Sequence, residues 1–579
     1  LKHLQSRGRS VALLRLFPRK KLIKSIRMLE MLWCIPLRQL VARLSLIAKR
    51  RLFSIIGPWL PRGPSTSPPL NRDFQPKRDL LSRPSGQPSV ELLNESLSFY
   101  LIGQNIELRR PFQAENNDEA THISHLFLIH LHSMEYLRTA DDELFMRLIT
   151  DWIGANPQYH HRYWHASWNS FALSIRVFIW ITEYSRRSSA QKETVKVMIP
   201  SLFQQVEFLS RNLETDLRGN HLIKNIRALL WAGAFFSGER SEQWAERGCF
   251  LLRRELQSQI LEDGMHFERT PSYHNEVLSD LLDCYAVLND EGMKNLVMGV
   301  IKRMSIVAGA LTHPDGDPCL FNDSVVSSKR IADLEQRLMQ IGIQPRINSG
   351  AFSFPAAGYS GISVGDAYFV IKHGLIAPNH LPGHGHADVF SFEWSIGGKR
   401  MIVDKGVYEY EAGEKRRISR ATVSHNTLSI DQRDQCEMWG SFRSARKPRV
   451  DSNVTSTTGE IIVRGRHDGY RRLSGKPIHH RQVRAKEDEI CINDWVEGGH
   501  GQSAQAQILL HPLCQVSEEE EGLVIDRDDI RVLILSASPM VIIETEWFPT
   551  FGKSYRTHQV VFRYGPIPGN WEIKLLRIK

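Results

Sequence analysis

The chain has 579 residues, of which 42% are hydrophobic and 24% are charged, and its formal net charge is +10. This length exceeds that of one compact domain, so we predict two large units, and seven scattered cysteines with no CxxC pair exclude a disulfide scaffold. The positive balance favours polyanionic partners such as acidic polysaccharide, nucleic acid or an anionic membrane surface.

Residues 1–57 form a basic arm in which Arg and Lys alternate with apolar residues. The segment 37–44 has helical apolar spacing, which predicts a basic amphipathic helix. Such a helix either lies on an anionic membrane or packs against the body of its own protein. We predict no membrane-spanning helix and find no clear signal peptide, because charged residues such as Arg15 and Arg19 interrupt the early apolar stretches.

Eight prolines mark residues 58–91 as a linker or an extended surface segment. From 92 to 345 the apolar spacing is helical and strand signals are few, which predicts an all-helical domain such as an (α/α) toroid. The candidate helices cover 123–132, 145–153, 168–183, 195–213, 222–236, 244–260 and 277–288.

Residues 346–579 have a different texture, with short β-prone runs separated by turn residues. This pattern predicts an antiparallel β-sandwich, so the whole chain is expected to be an α+β multidomain protein with helices first and sheets second. The candidate strands cover 361–372, 390–396, 400–403, 427–430, 460–464, 489–496, 506–510, 532–536 and 559–563.

Four side chains in the sheet half fall at spacings that suit a site: His384, His386, Asp404 and His425. His384 and His386 are two residues apart, so on a strand both would project to one face. Imidazole and carboxylate groups are suitable zinc ligands. The alternative is a polar cluster on a sheet with its histidines hydrogen-bonded to the backbone.

The helical half contains two unusually polar segments. Residues 218–225 open a predicted helix, for which Asn220 could be the cap. Residues 263–274 hold a dense set of ionisable side chains, including Glu268, Arg269 and Tyr273, and are therefore a site candidate. A helix cap at Asn220 and a buried aromatic at Tyr273 are the structural alternatives.

These segments together resemble the heparinase II/III-like polysaccharide lyases and the related alginate lyases. The motifs that carry the resemblance occur in the family's order: Gly-Asn-His at 219–221, Glu-Arg-Thr-Pro-Ser-Tyr-His at 268–274, Gly-His-Gly-His-Ala-Asp at 383–388, Val-Asp-Lys-Gly at 403–406, Ser-His-Asn-Thr at 424–427 and Trp-Gly-Ser-Phe-Arg at 439–443. The resemblance implies an (α/α) toroid followed by an antiparallel β-sandwich, with the active site in the cleft between them.

The chemistry that the resemblance implies is β-elimination at a uronic acid unit of an acidic polysaccharide. Asn220 and His221 would bind the substrate carboxylate and stabilise the enolate-like charge. Tyr273 would act as base, acid or both, and His384 would assist at the same centre. By the same resemblance, His386, Asp404 and His425 would bind a structural zinc that positions His384.

We also expect Glu268, Arg269 and Lys224 to contact the substrate. Lys224 departs from the family pattern, because members that accept both uronate epimers have an acidic residue there, so the substrate preference does not carry over. Related proteins take part in exopolysaccharide or envelope-glycan production, which implies the cell envelope or periplasm. We expect no nucleic-acid partner, since no recognised binding motif accompanies the positive charge.

Two rival functions stay open at the level of sequence. Toroid folds also host glycoside hydrolases, which need two carboxylates, and Asp263 and Glu268 are candidates. A noncatalytic glycan-binding or assembly protein could keep the same fold.

Overall fold

The structure, a computed structural model, describes residues 33–59, 69–82, 89–93, 96–116, 123–187, 192–344 and 349–578. The first 32 residues of the predicted basic arm and the segments 60–68 and 83–88 of the predicted linker lie outside these ranges. Within them, every helix is too short or too polar to pass through a lipid bilayer.

In the residues that the structure describes, ten α-helices precede the large sheets, and one short α-helix lies among the strands. They are α1 (Leu37–Ile56), α2 (His125–Ser133), α3 (Asp142–Ala155), α4 (Ser170–Arg186), α5 (Lys192–Arg211), α6 (Gly219–Phe235), α7 (Glu239–Gln259), α8 (Pro271–Tyr285), α9 (Glu291–Ala310), α10 (Ser328–Gln340) and α11 (Glu414–Arg420). All seven candidate helices of the sequence are present, with ends shifted by a few residues.

The helical half is organised around α4 and α6, which are buried along most of their length. Helices that are buried on all sides belong in a core; α5 and α7 pack against them, and α3 contacts α4 through Trp152 and Trp180. Side-chain caps fix several helix starts, as when Ser124 and Asp141 accept backbone N–H groups in the first turns of α2 and α3.

A small antiparallel sheet precedes α2, in a region whose sequence predicts helices. Its strands are β1 (Val90–Leu93), β2 (Ser96–Leu101) and β3 (Gln104–Leu108). Phe99 of β2 is fully buried and packs edge-on against Tyr136, so the sheet belongs to the helical core.

Between residues 349 and 578, the described part of the second half, the strands form four antiparallel sheets of five, two, eight and four strands. Their strands are β4 (Gly350–Phe354), β5 (Tyr359–Val364), β6 (Ala367–Lys372), β7 (Phe392–Ile396), β8 (Lys399–Ile402), β9 (Leu428–Ile430), β10 (Glu437–Trp439), β11 (Arg443–Ala445), β12 (Val450–Ser456), β13 (Ile461–His467), β14 (Ile478–Ala485), β15 (Glu489–Glu497), β16 (Ser503–Leu509), β17 (Gln515–Glu519), β18 (Gly522–Arg527), β19 (Ile530–Ser536), β20 (Met540–Thr550), β21 (Lys553–Pro566) and β22 (Gly569–Ile578).

The larger sheets share one hydrophobic core, as the predicted sandwich requires. One candidate strand, 361–372, is in fact the hairpin β5–β6. Gly365 has a φ of +56° and forms the turn with Asp366, so the chain reverses inside the run that the apolar pattern joined.

The two halves are joined by a buried apolar cluster and by hydrogen bonds. Met265, Val307 and Leu311 of the helical half pack with Phe352 and Tyr368 of the sheet half. The segment before α8 is held both by the loop between α9 and α10 and by the sheet half, because Asn322 and the hydroxyl of Tyr359 both donate to the carbonyl oxygen of Arg269, at 2.7 and 2.8 Å. This junction sets the distance between α8 and the loops of the sheets.

The contacts of helix α1 with the described residues of the helical half lie on one face of the helix. Lys49 Nζ donates to the carbonyl oxygen of Arg211 at 2.6 Å, and the Phe53 ring stacks on Tyr159 with centroids 5.0 Å apart. The part of the arm that the structure describes thus packs against its own protein, as one of the two predictions had it.

Candidate active site

The predicted site residues of the helical half lie at the start of α6 and α8. Helix α6 begins at Gly219, so Asn220 lies in its first turn and the prediction that Asn220 caps the helix is wrong. The cap comes from the tertiary structure, because Glu268 accepts a hydrogen bond from the Asn220 backbone N–H at 3.0 Å. Among the described residues the Asn220 side-chain amide makes no hydrogen bond of its own, so it is available to a ligand.

His221 lies one residue further along α6, and a third of its side chain is exposed. Its Nδ1 is 3.0 Å from a carboxylate oxygen of Glu214, and its ring lies on Phe171. Burial alone lowers the pKa of His221, but the charge and hydrogen bond of Glu214 outweigh it and raise the pKa above its usual value. The site therefore favours a cationic imidazole here, which suits binding of a carboxylate.

Lys224 is nearly buried and is paired with acids of α8. Its Nζ is 3.0 Å from Asp280 Oδ2 and 3.5 Å from Glu276 Oε2. Burial lowers the pKa of Lys224, yet the two carboxylates raise it overall. Its charge is thus compensated within the protein, and substrate contact by Lys224 stays a prediction.

Glu268 and Arg269, the other two predicted substrate contacts, are used internally. Besides holding Asn220, Glu268 has its second oxygen 3.6 Å from His384 Nε2. The Arg269 guanidinium donates to the carbonyl oxygens of Phe267 and Ala356 at 3.2 and 3.1 Å, so it ties the segment before α8 to the β4–β5 turn. The geometry gives both side chains a positioning role, and their contact with substrate stays a prediction.

Tyr273 and His384, one from each half of the chain, have their rings in contact at a tilt of 37°. Their ring centroids are 4.1 Å apart, and the Tyr273 hydroxyl is hydrogen-bonded to the hydroxyl of Tyr410. Burial, together with nearby Glu276 and Asp323, raises the pKa of Tyr273 well above its usual value. The phenol is therefore protonated at neutral pH and can donate a proton.

His384 is oriented by Asp323, a residue that the sequence did not single out. His384 Nδ1 is 2.9 Å from Asp323 Oδ2, His386 Nε2 is 2.9 Å from Asp323 Oδ1, and the Arg416 guanidinium pairs with both oxygens. Burial raises the pKa of Asp323, but Arg416 and the two histidines lower it well below the usual range. Since an ionised carboxylate only accepts hydrogen bonds, Nδ1 of a neutral His384 carries the proton and Nε2 keeps a lone pair.

The spacing of His384 and His386 would place both side chains on one face of a strand. In the structure the two residues lie instead in the irregular segment between β6 and β7. The two side chains still meet, because both turn toward Asp323. Asp404 follows β8 and His425 precedes β9, and their side chains are 3.0 Å apart.

The three predicted metal ligands, His386, Asp404 and His425, are completely buried, and one ligand atom from each lies within 4.8 Å of the others. His386 Nδ1 and His425 Nε2 are buried without a hydrogen-bond partner in the described part of the chain. Two unpaired buried imidazole nitrogens beside a carboxylate fit a metal ion, because it would satisfy both of them.

A second group, His313, Cys319 and Glu393, has comparable spacing but a different character. Both nitrogens of His313 are hydrogen-bonded, to Ser395 and Glu393 at 2.7 Å, and the Cys319 thiol meets the Tyr368 hydroxyl. The polar atoms of His313, Cys319 and Glu393 thus have hydrogen-bond partners within the protein. Because no buried nitrogen of His313 is left without a partner in the described residues, this group gives no indication of a metal.

Sequence reasoning missed three side chains of the site: Asp323, Tyr410 and Arg416. Each is an isolated polar residue with no spacing pattern, although the run Phe321-Asn-Asp-Ser324 after an apolar residue was a usable signal. Asn322 in that run has a φ of +59° and hydrogen-bonds Arg269 and Lys372, which is what aims Asp323 into the site.

Comparison with known proteins gives matches along most of the chain. The family described as "Heparinase II/III N-terminus" matches residues 99–340, and "Heparinase II/III-like, C-terminal" matches residues 346–575. A heparin-sulfate lyase of Pedobacter heparinus is 25% identical over 263 residues, 40% of this chain and 39% of that protein. A heparin-sulfate lyase of Bacteroides thetaiotaomicron is 21% identical over 457 residues, 70% of this chain and 62% of that protein. The chain thus spans less than two thirds of the length of these relatives.

Solved structures with the same arrangement include heparinase III, with a TM-score of 0.64 and 17% identity over 79% of this chain and 78% of that one. A heparan sulfate lyase from Pedobacter heparinus has a TM-score of 0.56 and 18% identity over 79% and 78% of the two chains. Likeness at this identity shows the fold, and the predicted (α/α) toroid followed by an antiparallel β-sandwich is confirmed.

Proposed function

Because the chain belongs to the heparinase II/III-like family, we propose that it is a polysaccharide lyase that cleaves an acidic, uronate-containing polymer by β-elimination. The relatives named heparin-sulfate lyase support a glycosaminoglycan-like substrate. The single observation that carries the proposal is the close contact of the Tyr273 and His384 rings, which Glu268 links to the first turn of α6. The general acid Tyr273, the lone pair of His384 Nε2 and the carboxylate-binding amide of Asn220 would thus act together where the two halves of the chain join.

The reaction removes the proton at C5 of the uronate and expels the oxygen at C4. The C5–H and C4–O4 bonds break, a C4–C5 double bond forms, and O4 leaves with a proton. Asn220 and the cationic His221 bind the carboxylate and stabilise the negative charge that develops on it. His384 Nε2, with its lone pair, accepts the C5 proton, and Tyr273, whose raised pKa keeps it protonated, supplies a proton to O4.

A glycoside hydrolase has less support from the geometry. Of the two candidate carboxylates, Asp263 accepts hydrogen bonds from the backbone N–H groups of Met265 and Ala357, at 3.3 and 2.8 Å. Glu268 is engaged by Asn220 and faces His384. Both carboxylates thus serve the fold, and a free acid–base pair of the hydrolase type is not formed by them.

The test is ultraviolet absorbance during incubation with uronate polymers, heparan sulfate first. The product of elimination has a double bond conjugated with its carboxylate and absorbs where the substrate does not. We expect absorbance to rise with the wild type and to be lost with Tyr273→Phe. New reducing ends without a rise in absorbance would show that the protein is a hydrolase and not a lyase. Polymer binding without cleavage, equal in both proteins, would indicate the noncatalytic alternative.

The proposal includes a structural zinc held by His386, Asp404 and His425. When bound, the metal would tie the segment that contains His384 to the ends of β8 and β9 and so fix its position. Its support is the pair of buried, unpartnered imidazole nitrogens.

Elemental analysis of the purified protein tests the zinc. We expect about one zinc per chain, lost in His386→Ala together with a lower melting temperature. Cys319→Ser is the matched control, since Cys319 belongs to the group whose partners are internal, and it should keep the metal. Wild-type protein without zinc would refute this part of the proposal.

We further place the protein in the cell envelope or periplasm, in exopolysaccharide or envelope-glycan metabolism, with its basic arm in contact with a membrane. The support is the charge of the arm: residues 1–56 contain fourteen Lys and Arg and one acidic residue, Glu30.

A further inference from the structure

Helix α1 exposes an apolar stripe to solvent. Nine of the twenty-one large hydrophobic side chains exposed in the described part of the chain fall between residues 33 and 59, so the exposure is concentrated in this short segment. The stripe is formed by Leu37, Val41, Leu44, Leu52 and Ile55, which are 74, 57, 59, 52 and 71% exposed. At 3.6 residues per turn these positions lie on one side of the helix.

The opposite side of α1 is the side that holds it to the protein. Gln39 is buried, Phe53 stacks on Tyr159, and both lie about half a turn away from the stripe. The helix therefore already has its intramolecular contact, and the stripe is not the face that the fold buries. A contiguous exposed apolar surface of this kind marks an interaction site.

The charges around the stripe select its partner. Helix α1 has five basic residues and no acidic one. A second copy of the chain would bring these like charges together, whereas an anionic surface neutralises them. Trp33 and Trp59, 91 and 88% exposed, lie at the two ends of the helix, and tryptophan favours the boundary between lipid headgroups and acyl chains.

We propose that the α1 stripe is an in-plane docking surface for an anionic lipid bilayer. Leu37, Val41, Leu44, Leu52 and Ile55 enter the headgroup boundary, while the basic side chains that flank the stripe, Arg38 and Arg51, pair with acidic lipid headgroups. Five cationic side chains in twenty residues place the helix on the bilayer rather than across it.

Docking of α1 also fixes how the candidate active site faces the membrane. Arg43 Nε is 3.9 Å from Asp216, and Lys49 holds the carbonyl of Arg211. The segment 211–218, which leads directly into Asn220, thus rests on α1. A bilayer bound to the opposite side of the helix would hold the site at a set distance from the surface, where envelope polymers lie.

This inference rests on the proposed membrane contact of the arm and not on the lyase chemistry. It is tested with the full chain by co-sedimentation with vesicles of phosphatidylcholine containing phosphatidylglycerol, beside pure phosphatidylcholine vesicles. We expect binding to the anionic vesicles only, weakened by salt, and about a tenfold fall in the partition coefficient for Val41→Ser/Leu44→Ser.

The matched control is Ile306→Ser/Leu513→Ser, which removes two comparably exposed apolar side chains elsewhere, 53 and 66% exposed. It should bind like the wild type, and all variants should share one melting temperature, since the altered side chains are exposed.

Three results would overturn the proposal. The first is equal vesicle binding by wild type and Val41→Ser/Leu44→Ser, which would leave only a charge effect. The second is a dimer in sedimentation velocity that this variant abolishes, which would make a second copy the partner. The third is binding of heparan sulfate, but not of vesicles, that is lost in Arg38→Gln/Arg51→Gln, which would assign the arm to the polymer. A failed vesicle test would leave the absorbance assay of the lyase unaffected.

Discussion

Tyr410 is the side chain that most directly controls the proposed acid, Tyr273. Its hydroxyl bonds that of Tyr273, and its ring packs edge-on against Phe442 and Phe551 with centroids 5.2 and 4.9 Å away. The ring contacts hold Tyr410 in place independently of the hydroxyl. Removing the Tyr410 hydroxyl therefore deletes the hydrogen bond to Tyr273 and leaves the Tyr410 ring in place.

We predict that Tyr410→Phe lowers kcat about tenfold with little change in KM, because one hydrogen bond to the reacting phenol is worth about 1–1.5 kcal/mol. Initial rates from the absorbance assay measure both constants. Tyr408→Phe is the control, since Tyr408 packs against Phe548 and belongs to neither ring of the Tyr273–His384 contact. An unchanged kcat in Tyr410→Phe would show that the bond between the two hydroxyls is dispensable.

At the scale of elements, the first turn of α6 depends on a glycine. Gly219 has a φ of +59°, and a Cβ there would lie 2.5 Å from Glu268 Oε1, the atom that holds the Asn220 backbone. Both the left-handed backbone and the close approach of Glu268 require the absence of a side chain. The orientation of Asn220 follows from this one position.

We predict that Gly219→Ala costs about 1–3 kcal/mol of unfolding free energy and also lowers kcat/KM by more than tenfold, since Glu268 must move. Gly238→Ala, before α7, is the matched control, because its φ is +94° but no atom lies within 4 Å of the added Cβ. The control should lose stability and keep its rate. Equal rates in both variants would contradict the role of Glu268. Denaturant unfolding and initial rates provide the two measurements.

Most helices and strands could be predicted from the sequence, but the residues at which they begin and end could not. The apolar spacing that predicted α3–α8 reflects burial of a helix face, which any local window of sequence contains. The start of α6 was misplaced because its cap, Glu268, lies 48 residues away in the chain. The β5–β6 hairpin was read as one strand because apolar residues continue on both sides of Gly365.

The site was predictable only where the sequence carries a motif. His384, His386, Asp404 and His425 stand in short runs that resemble the family. Asp323 and Arg416 come together only in the folded chain, so no spacing along the sequence connects them. Resemblance thus gave the residues that would touch substrate or metal, and the structure was needed for those that orient them.

At the scale of the whole molecule, the site depends on the junction of the two halves. The buried hydroxyl of Tyr359, on β5, donates to the carbonyl of Arg269, which immediately precedes the segment containing Tyr273. Asn322 donates to the same oxygen and accepts a hydrogen bond from Lys372 of β6, so both side chains fix α8 relative to the sheets. Loss of either hydrogen bond to the Arg269 carbonyl oxygen should lower both the reaction rate and the free energy of unfolding.

We predict that Tyr359→Phe lowers the unfolding free energy by about 1 kcal/mol and lowers kcat several-fold. Tyr470→Phe is the matched control, because its buried hydroxyl donates to Leu428 within the sheet half at 2.9 Å. It should lose similar stability at full rate. If both variants kept the full rate, the junction would only hold the halves together. Chemical denaturation and initial rates distinguish these cases.

The division of the site between the halves has a consequence for the assembly of the protein. Asn220 and Tyr273 precede the boundary between α10 and β4, whereas His384 and Tyr410 follow it. A ribosome completes the proposed acid, Tyr273, and the proposed carboxylate-binding amide of Asn220 before it makes the proposed base, His384. We therefore expect two polypeptides divided at this boundary to show no lyase activity when assayed separately. Activity should appear in their mixture at the rate at which they associate.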